Sequence, residues 1–528
     1  MSNLNNQTNL TISDYKSLLR GANLYGSGDA NVTGISRDTR HVEAGDLFIC
    51  IRGEKHDSHR YAAQALSRGA VALVIDANEL EAVRQNSEIP ADTPILAVKN
   101  TRWALPLIAC AFYGNPSQSM KIIGITGTNG KTTSTMMVAA ILRAAGMRVG
   151  TIGTLGADLD GVPIQSDHTT PEADQLQALL HNFKMERADA VVMEVSSHAL
   201  AMHRTDGIAF SVGMFTNLSL EHLDYHGNME NYFDAKARLF AEYPISYPRK
   251  DGSTFIAIIT ISQWEGRELV TLARGDILTF ATDDSPAVLR AENPVLTAES
   301  TSFTVQYDSG VERYSFDVRL PIGGAFQIGN ALGSIGACLR LGVPASTVAT
   351  GLASMQGVPG RFEAVPTDGL DFSLIVDYAH TSDGLDNLLR SASELRPTKL
   401  IVVFGCGGNR DRTKRPIMGA LAATKADIAI VTSDNPRHED PNFIISEIVA
   451  GIEGSTGERR AEIHVEPDRR KAIELALSLS VATPGSLVLI AGKGHETYQL
   501  VGDDVLDFDD RAVARELIVA LVLRAGKS

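Results

Sequence analysis

A seven-residue glycine loop constrains the fold of this chain more than any other feature of its sequence. The loop, Gly127-Thr-Asn-Gly-Lys-Thr-Thr133, follows an apolar stretch at 121–126 that predicts a strand and precedes a stretch at 134–145 that predicts a helix. Small residues at such a junction let backbone N–H groups surround phosphate oxygens, and the helix N-terminus adds positive potential. Lys131 would reach the outer phosphates of a nucleotide, and the Thr132 hydroxyl would bind Mg²⁺. The loop therefore predicts a nucleotide-binding domain built on a parallel sheet.

The loop is a shortened form of the common phosphate-binding pattern. That pattern has a glycine five residues before Gly130, and this chain has Ile125 there. A glycine-rich turn with an unrelated lysine is the competing interpretation, but the flanking strand and helix favour nucleotide binding. We expect nucleotide contacts from the loop residues Gly127, Thr128, Asn129, Gly130, Lys131, Thr132 and Thr133.

Three blocks of different pattern predict three domains. Residues 1–117 hold short apolar runs and end in a cluster of turn-forming residues at 113–117. Residues 118–356 contain the glycine loop, and an alternating segment at 276–318 predicts an antiparallel appendage. Residues 357–528 hold four apolar runs separated by helical stretches, which is typical of a parallel βαβ sheet. The strands predicted from these runs are Ser373–Asp377, Leu400–Phe404, Ile428–Thr432 and Leu487–Ala491. The predicted fold class is therefore α/β.

Polar residues follow each of the four predicted strands of the last block. In open parallel sheets, ligands bind beyond the carboxyl ends of the strands. We therefore expect these four segments to form one binding site. They are Asp377-Tyr-Ala-His380, Gly405-Cys-Gly-Gly408, Ser433-Asp-Asn-Pro-Arg437 and Gly492-Lys-Gly-His-Glu496.

Composition excludes several classes of protein. The formal net charge is -15, which argues against general nucleic-acid binding. No run is apolar enough to predict a membrane span, and the polar segment Met1–Thr11 lacks the pattern of a secretion signal. The four cysteines are scattered without a paired spacing, which favours free thiols. We therefore expect a cytoplasmic protein.

Residues downstream of the loop predict divalent-metal binding. Glu194 ends the predicted strand 190–195, where its carboxylate would stand beside the loop. His222, Asp224 and His226 follow within six residues of one another, and imidazole and carboxylate groups can hold a second ion. For any single histidine of this set, a surface or capping role is the competing interpretation.

Motifs along nearly the whole chain, in order, resemble those of the Mur ligase family. The resemblance implies a UDP-binding α/β domain at 1–117, a central phosphate-loop ATPase domain with a parallel sheet at 118–356, and a C-terminal Rossmann-like amino-acid-binding domain at 357–528. It also implies an ATP-dependent acid–amino-acid ligase that works through an acyl phosphate in peptidoglycan synthesis. The motifs are 126–132, 193–199, 216–227, 234–240, 360–363, 377–381, 405–412, 434–437 and 492–496.

The resemblance also implies roles for particular residues. Lys131, Glu194, His222 and Lys236 would be catalytic. Thr132 and Glu194 would bind one Mg²⁺, while His222 and a carbamylated Lys236 would bind a second. Asn330 and Arg361 would join the loop in binding ATP. The UDP-linked muramoyl dipeptide would contact Ser36, Thr169, Thr170, Ser196, Ser197 and Arg204. The amino-acid substrate would contact Arg410, Asp434, Asn435, Arg437, Gly492 and Glu496.

The choice of amino acid depends on one motif. In the family, Asp434-Asn-Pro-Arg437 marks members that add meso-diaminopimelate, because an arginine can bind the second carboxylate. An enzyme that adds L-lysine, a folylpolyglutamate-type ligase without the first domain, and a catalytically weak paralogue remain alternatives. Departures from the family pattern occur at Thr260–Gln263, Gln327 and Ser382, and the first two lie where the nucleotide base or ribose would approach. We expect a monomer with small-molecule partners.

Overall fold

The computed structural model describes residues 10–53, 56–164, 168–455 and 461–525, so most of the polar N-terminal segment lies outside the described residues. The strands of this part of the chain form three large sheets and a separate hairpin. Most strand pairs in each large sheet are parallel, and helices connect most of the parallel strands, so the predicted α/β fold class is confirmed.

The N-terminal strands form a five-stranded sheet within the described ranges, in the order β1-β5-β4-β3-β2. Strands β2 to β5 are parallel, and β1 pairs antiparallel with β5 at the edge. Parallel strands covered on both faces are apolar throughout, and all four residues of β3 are buried. The elements are β1 (Asn23–Tyr25), β2 (Gly34–Ser36), β3 (Asp46–Ile49), β4 (Ala72–Asp76), β5 (Ile95–Val98), α1 (Ile12–Leu18), α2 (Ala62–Ser67), α3 (Leu80–Gln85) and α4 (Thr101–Phe112), with 3₁₀ turns at Thr39–His41, Ser58–Tyr61, Ala77–Glu79 and Pro116–Ser119.

The central sheet has eleven strands in the described part of the chain, in the order β16-β15-β14-β13-β12-β11-β6-β10-β7-β8-β9. Its middle is parallel, and the glycine loop leaves the central strand β6. The strands are β6 (Lys121–Thr126), β7 (Val149–Gly153), β8 (Gly156–Leu159), β9 (Val162–Ile164), β10 (Ala190–Glu194), β11 (Val212–Phe215), β12 (Ile256–Thr260), β13 (Asp276–Ala281), β14 (Leu289–Leu296), β15 (Thr301–Asp308) and β16 (Arg313–Leu320).

The predicted antiparallel appendage is only partly correct. Strands β14, β15 and β16 do form an antiparallel meander, but β13 pairs parallel with β12 and β14 continues the same sheet. The meander is therefore an extension of the central sheet, because β13 offers a free edge to it. The helices of this region are α5 (Lys131–Ala144), α6 (Ala173–Met185), α7 (Ser197–Ala201), α8 (Leu223–His226), α9 (Met229–Ala241), α10 (Tyr243–Ser246), α11 (Trp264–Leu272), α12 (Phe326–Arg340) and α13 (Ala345–Ser354).

The C-terminal sheet has six strands among the described residues, in the order β17-β18-β22-β19-β20-β21, and all pairs except β17–β18 are parallel. The four predicted strands are present, together with the polar edge strand β21 and the hairpin β23–β24, which were not predicted. The elements are β17 (Glu363–Ala364), β18 (Phe372–Asp377), β19 (Leu400–Phe404), β20 (Ile428–Val431), β21 (Glu462–Val465), β22 (Ser486–Ala491), β23 (Tyr498–Val501), β24 (Asp504–Asp507), α14 (Ser382–Glu394), α15 (Lys414–Lys425), α16 (Pro441–Glu453), α17 (Arg469–Val481) and α18 (Asp510–Ala525).

The central and C-terminal sheets share one continuous apolar core. Buried side chains of α5 and α12 belong to the same cluster as those of β18, β19 and α14. The N-terminal sheet has its own core, and Arg37 of this domain pairs with Asp174 of α6 at 3.0 Å. No helix in the described ranges is both long and apolar enough to cross a membrane.

Candidate functional site

The glycine loop has the backbone geometry of an anion-binding turn. Gly127 and Gly130 adopt φ angles of 146° and 86°, in the region that side chains avoid. A Cβ atom at Gly127 would lie 1.9 Å from Thr216 Oγ1, and one at Gly130 would lie 2.1 Å from Asn330 Oδ1. Helix α5 begins at Lys131, so its free N–H groups point out of the loop. Glycine is therefore required at both positions, by conformation and by space.

Lys131 folds back over its own loop. Its Nζ donates to the carbonyl oxygens of Gly127 at 2.9 Å and Thr128 at 2.7 Å. Burial lowers the pKa of this amine, while Glu194 and Glu221 oppose that shift. The next residue, Thr132, is buried, and its hydroxyl oxygen accepts a 3.4 Å hydrogen bond from Arg361 of the C-terminal domain. The loop thus holds a half-buried amine beside a buried hydroxyl.

Glu194 lies at the end of β10, the strand that pairs in parallel with β6. Its carboxylate is buried and accepts hydrogen bonds from Thr154 N at 2.8 Å and Thr154 Oγ1 at 3.1 Å. Gly153 leaves room for it, because a Cβ there would lie 2.3 Å from Glu194 Oε1. A fixed carboxylate beside the phosphate loop is a suitable Mg²⁺ ligand.

Lys236 is a buried amine without a carboxylate partner. Its side chain comes from α9, and the residue is 1% exposed. The Nζ atom donates to Gly127 O at 2.8 Å and lies 4.6 Å from the Tyr232 ring centroid. None of the ion pairs among the described residues involves it. Burial, together with the charge of Lys131, holds the pKa of this amine well below its usual range.

Three histidines cluster beside this lysine. The His198 ring lies 4.7 Å from that of His222 and 5.4 Å from that of His226, centroid to centroid. Burial lowers the pKa of each to about 4, and neighbouring positive charges add to the effect. These imidazoles are therefore neutral at neutral pH, the form that binds metals. In the part of the chain that is described, no three His, Cys, Asp or Glu side chains converge as a metal site, so an ion here would also need the threonine and the lysine.

Five of the six residues predicted to contact the UDP-linked substrate lie near Glu194. Thr170 Oγ1 donates to Glu194 O at 2.9 Å and accepts from Ser196 N at 3.1 Å. The remaining contacts are Thr169 Oγ1 to Thr154 Oγ1 at 3.2 Å, Ser197 Oγ to His226 Nε2 at 3.0 Å, and Arg204 to Glu172 at 2.8 Å.

The sixth, Ser36, lies apart in the N-terminal domain. Its hydroxyl donates to Asp38 O at 3.0 Å. Asp38 itself forms an ion pair with Arg40 at 2.5 Å, and the hydrogen bonds from Arg40 lower the pKa of this carboxyl to about 2. No contact in the described residues joins Ser36 to the group around Glu194.

Two glutamines at positions that depart from the family pattern, Gln327 and Gln263, have structural roles near the glycine loop. Gln327 is fully buried, and its Oε1 accepts from Asn330 Nδ2 at 2.9 Å, which holds the amide that covers Gly130. Gln263 Oε1 accepts from the backbone N–H of Leu218 at 2.9 Å. Both glutamines therefore support segments that border the glycine loop.

The strand ends of the C-terminal sheet meet in a polar cluster. Asn435 Nδ2 donates to Glu496 Oε2 at 2.8 Å, and the fully buried Lys493 pairs with the same carboxylate at 3.3 Å. Asp434 is 7% exposed, and its Oδ2 is buried and has no hydrogen-bond partner among the described residues. A Cβ at Gly492 would lie 2.4 Å from that oxygen. The cluster brings together four of the predicted amino-acid-binding residues and leaves one carboxylate oxygen free to accept.

Arg437 is held by backbone contacts on both sides. It has a φ of 52°, its N–H donates to Leu500 O at 3.0 Å, and its own carbonyl accepts from Gly502 N at 2.7 Å. Its Nη1 donates to Gly408 O at 2.9 Å. No ion pair in the described ranges includes Arg437, because Glu439, the neighbour that could have neutralised it, pairs with Arg415. The sixth predicted residue, Arg410, is exposed nearby on the 405–412 loop.

Sequence reasoning missed Asp383, which joins the two domains at the loop. Its Oδ2 accepts from Asn129 Nδ2 at 2.7 Å and from Ser219 Oγ at 2.8 Å. Arg361 crosses the same boundary toward Thr132 and stacks on Tyr378, with its Cζ 4.4 Å from the ring centroid. The only signal for Asp383 was its place just after the polar end of a predicted strand. These contacts set the C-terminal strand ends against the phosphate loop.

The fold and the site define a nucleotide-dependent enzyme of three α/β domains, with a phosphate loop facing a second polar cluster. Three family descriptions match the chain in order: "Mur ligase family, catalytic domain" at residues 31–113, "Mur ligase middle domain" at 125–338 and "Mur ligase, glutamate ligase domain" at 360–494. The chain belongs to the Mur ligase family.

Individual relatives agree with this assignment. A UDP-N-acetylmuramoyl-L-alanyl-D-glutamate–2,6-diaminopimelate ligase of Syntrophomonas wolfei is 43% identical over 490 residues, covering 93% of this chain and 95% of the relative. The ligase of the same name from Clostridium botulinum is 43% identical over 485 residues, covering 92% and 94%. A solved structure of a ligase with that name has a TM-score of 0.67 and 29% identity, covering 98% of this chain and all of that one.

Proposed function

We propose that this protein joins meso-2,6-diaminopimelate to UDP-N-acetylmuramoyl-L-alanyl-D-glutamate, using ATP, in peptidoglycan precursor synthesis. Relatives that carry this activity in their names cover more than nine-tenths of the chain. The observation that carries the proposal is the contact between domains, in which Asp383 and Arg361 set the C-terminal strand ends against the glycine loop. An acyl phosphate formed at the loop would therefore meet an amine bound at the strand ends.

The reaction divides into two displacements. The substrate carboxylate attacks the γ-phosphorus of ATP, ADP leaves, and an acyl phosphate forms. The amine then attacks the acyl carbon, loses a proton, and displaces inorganic phosphate as the amide forms. In the first step two anions must meet, so Lys131 and the N–H groups of α5 would stabilise the charge of the transferring phosphoryl group.

We propose that Thr132 and Glu194 hold one Mg²⁺ and that His222 and a carbamylated Lys236 hold a second. Bound Mg²⁺ would neutralise phosphate charge in both displacements. Support comes from the buried Glu194 at the loop and from the neutral His222. Carbon dioxide reacts with a neutral amine, and the lowered pKa of Lys236 increases that neutral fraction. The carbamate has two oxygen atoms that can bind Mg²⁺, which an unmodified lysine amine lacks.

The amino-acid site would use charge at both ends of the ligand. Asp434, with its free buried oxygen, and Glu496 would bind an ammonium group, while Arg437 and Arg410 would bind the distal carboxylate. L-lysine shares the distal ammonium group of diaminopimelate but has a hydrogen atom in place of the second carboxylate, so it lacks that stereocentre. It would leave Arg437 without an anionic partner, which favours diaminopimelate as the substrate.

We also propose domain boundaries at 117/118 and 356/357 and a monomer that works in the cytoplasm. One chain carries the loop, the residues for the UDP-linked substrate and the strand-end cluster, so a second copy is not needed to complete a site. All four cysteines are buried free thiols, which is in keeping with a reducing compartment.

Product formation from defined substrates tests the function. Purified protein is mixed with ATP, Mg²⁺, the UDP-linked dipeptide and either diaminopimelate or L-lysine, and phosphate release and product mass are measured. We expect phosphate release that needs all components, with diaminopimelate preferred. Equal use of L-lysine would contradict the amino-acid choice, and no turnover with either would contradict the ligase assignment.

A further inference from the structure

The loops that carry Arg410 and Arg437 are joined by a buried guanidinium that no sequence motif singled out. Arg415 lies in the first turn of α15, and its side chain is 0% exposed. It donates from Nη1 to Glu439 Oε2 at 2.9 Å and from Nη2 to Glu439 Oε1 at 3.0 Å. Its Nη2 also donates to Gly407 O at 3.2 Å. One side chain therefore bonds both the 405–412 loop and the 434–439 loop.

Glu439 continues this connection from the other side. The carboxylate that receives the fork of Arg415 also accepts the backbone N–H of Asn409. Both of its oxygens are thus occupied by donors from the 405–412 segment and α15. The side chain of Asn409 also bonds the 434–439 loop, because its Oδ1 accepts from His438 N at 3.1 Å. The two loops are fastened to each other at several points around one charge pair.

The same junction determines where the two arginines lie. Gly408 N donates to Asn435 O at 2.9 Å, and Arg437 Nη1 donates to Gly408 O at 2.9 Å. Contact is tight enough that a Cβ at Gly407 would lie 2.8 Å from Arg437 Nη1 and 3.9 Å from Arg410 Cγ. A shift of one loop would therefore move Arg410 relative to Arg437.

We propose that Arg415 and Glu439 are a positioning pair that determines amino-acid specificity by holding Arg410 and Arg437 at a common distal carboxylate. The pair does not touch the substrate. It acts through the loops, and it rests on the proposed function for the identity of that substrate. Because a bidentate arginine–carboxylate pair fixes orientation as well as distance, neither partner can be replaced by a neutral group without loosening both loops.

Glu439→Gln tests the pair with little change in shape. The glutamine amide has one accepting oxygen, so its NH₂ group would face a donor, either Arg415 or the Asn409 N–H. The hydrogen bond to that donor would therefore be lost. We expect the KM for diaminopimelate to rise about tenfold, the size of one charged hydrogen bond. The preference for diaminopimelate over L-lysine should fall by a similar factor, with the KM for ATP and for the UDP-linked dipeptide unchanged. Arg415→Lys, which keeps charge but cannot bond both loops, should behave in the same way.

Glu447→Gln is the matched control. Glu447 pairs with the same Arg415 at 2.6 Å and with Arg412, but it contacts neither loop backbone at the junction. Its amide can keep one oxygen toward Arg415 and turn its NH₂ toward the exposed side. We expect a change below about twofold in the KM for diaminopimelate, since the amide oxygen keeps the hydrogen bond to Arg415 and no contact between the two loops is lost.

A double-mutant comparison separates positioning from general stability. If the pair acts through Arg437, Glu439→Gln should have little further effect on the diaminopimelate KM in an Arg437→Ala background. Equal effects in both backgrounds, or a rise in the KM of all three substrates, would overturn the proposal. The wild-type assay keeps the claims apart: an inactive wild type contradicts the proposed function, whereas an active one with unaltered selectivity in Glu439→Gln contradicts the positioning pair.

Discussion

The phosphate loop and the amino-acid site are built in opposite ways. The loop is one contiguous segment between a strand and a helix, and its shape depends on two positive-φ glycines and the start of α5. The amino-acid site is assembled from ends of separate strands, and its side chains are held by long-range contacts such as Asn435 to Glu496. A contiguous site depends on local backbone conformation, whereas an assembled one depends on the contacts that join its segments.

The two sites also hold their positive charges differently. Lys236 is buried and Lys131 is half-buried, both donate to backbone carbonyl oxygens, and burial lowers the pKa of both amines. In the C-terminal domain, by contrast, the buried cations Lys493 and Arg469 are paired with Glu496 and Asp510. Neither of the two loop lysines forms an ion pair among the described residues, whereas these two cations of the C-terminal domain are already paired with carboxylates.

The comparison predicts its largest effect at Lys131. Lys131→Ala removes the charge that would stabilise the transferring phosphoryl group, and we expect ligation to fall by at least about 10²–10³-fold. The protein should remain folded, because the removed amine bonds only to its own loop. Phosphate release is the measurement, and Lys121→Ala, at the exposed start of β6, is the control. Near-normal turnover in Lys131→Ala would show that this lysine does not stabilise the transferring phosphoryl group.

Lys236→Ala should have the next largest effect, about a hundredfold loss of turnover, because the expected carbamate ligand is lost. Short-chain carboxylic acids should restore part of the turnover of Lys236→Ala, because they supply the missing oxygen ligands. They should not restore the turnover of Lys131→Ala. Protein incubated with ¹³C-labelled carbon dioxide should show a carbamate carbonyl signal by NMR that is absent from Lys236→Ala. An unmodified wild-type lysine under these conditions would refute carbamylation.

Arg437→Ala sharpens the comparison at the assembled site. Loss of one charged, bidentate contact should raise the KM for diaminopimelate roughly tenfold to a hundredfold and reduce the preference over L-lysine. The KM for ATP should stay the same, because no hydrogen bond or ion pair among the described residues joins Arg437 to the glycine loop. Initial rates with varied amino acid and varied ATP measure both. If the KM values for diaminopimelate and for ATP rose together in Arg437→Ala, the amino-acid site and the phosphate loop would not be independent.

The smallest effect is expected at Asp383, where the two regions meet. Asp383→Ala removes acceptors for Asn129 and Ser219. We expect the KM for ATP to rise about threefold to tenfold, because the backbone N–H groups of Asn129 and Ser219 keep their own hydrogen bonds beside the loop. Asp386→Ala, on the same helix but paired with Lys425, is the matched control. Identical ATP KM values in the two variants would exclude a role for Asp383 in shaping the loop.

Local pattern was sufficient for most of the fold. The apolar run 400–404 coincides with β19, and the three other predicted C-terminal strands differ from the observed ones by a single residue at one end. Strand β21 was missed because Glu462 and His464 interrupt its apolar character at the sheet edge. The hairpin β23–β24 was missed because its residues are largely exposed and carry no alternation. Edge elements are stabilised by their neighbours, which local sequence does not describe.

The sequence by itself determined the α/β class, the glycine loop and the family, because these depend on short segments whose residue types are required by backbone conformation and phosphate chemistry. Only the tertiary structure decided that Asp383 reaches Asn129, that β13 joins the central sheet, and that Arg415 fastens two loops through Glu439. The partners in these contacts are far apart in the sequence or lie on separate elements. The sequence alone is equally compatible with the same side chains being exposed to solvent. Their contacts arise when strand ends meet and the water around their charges is removed, which is a property of packing rather than of any one segment.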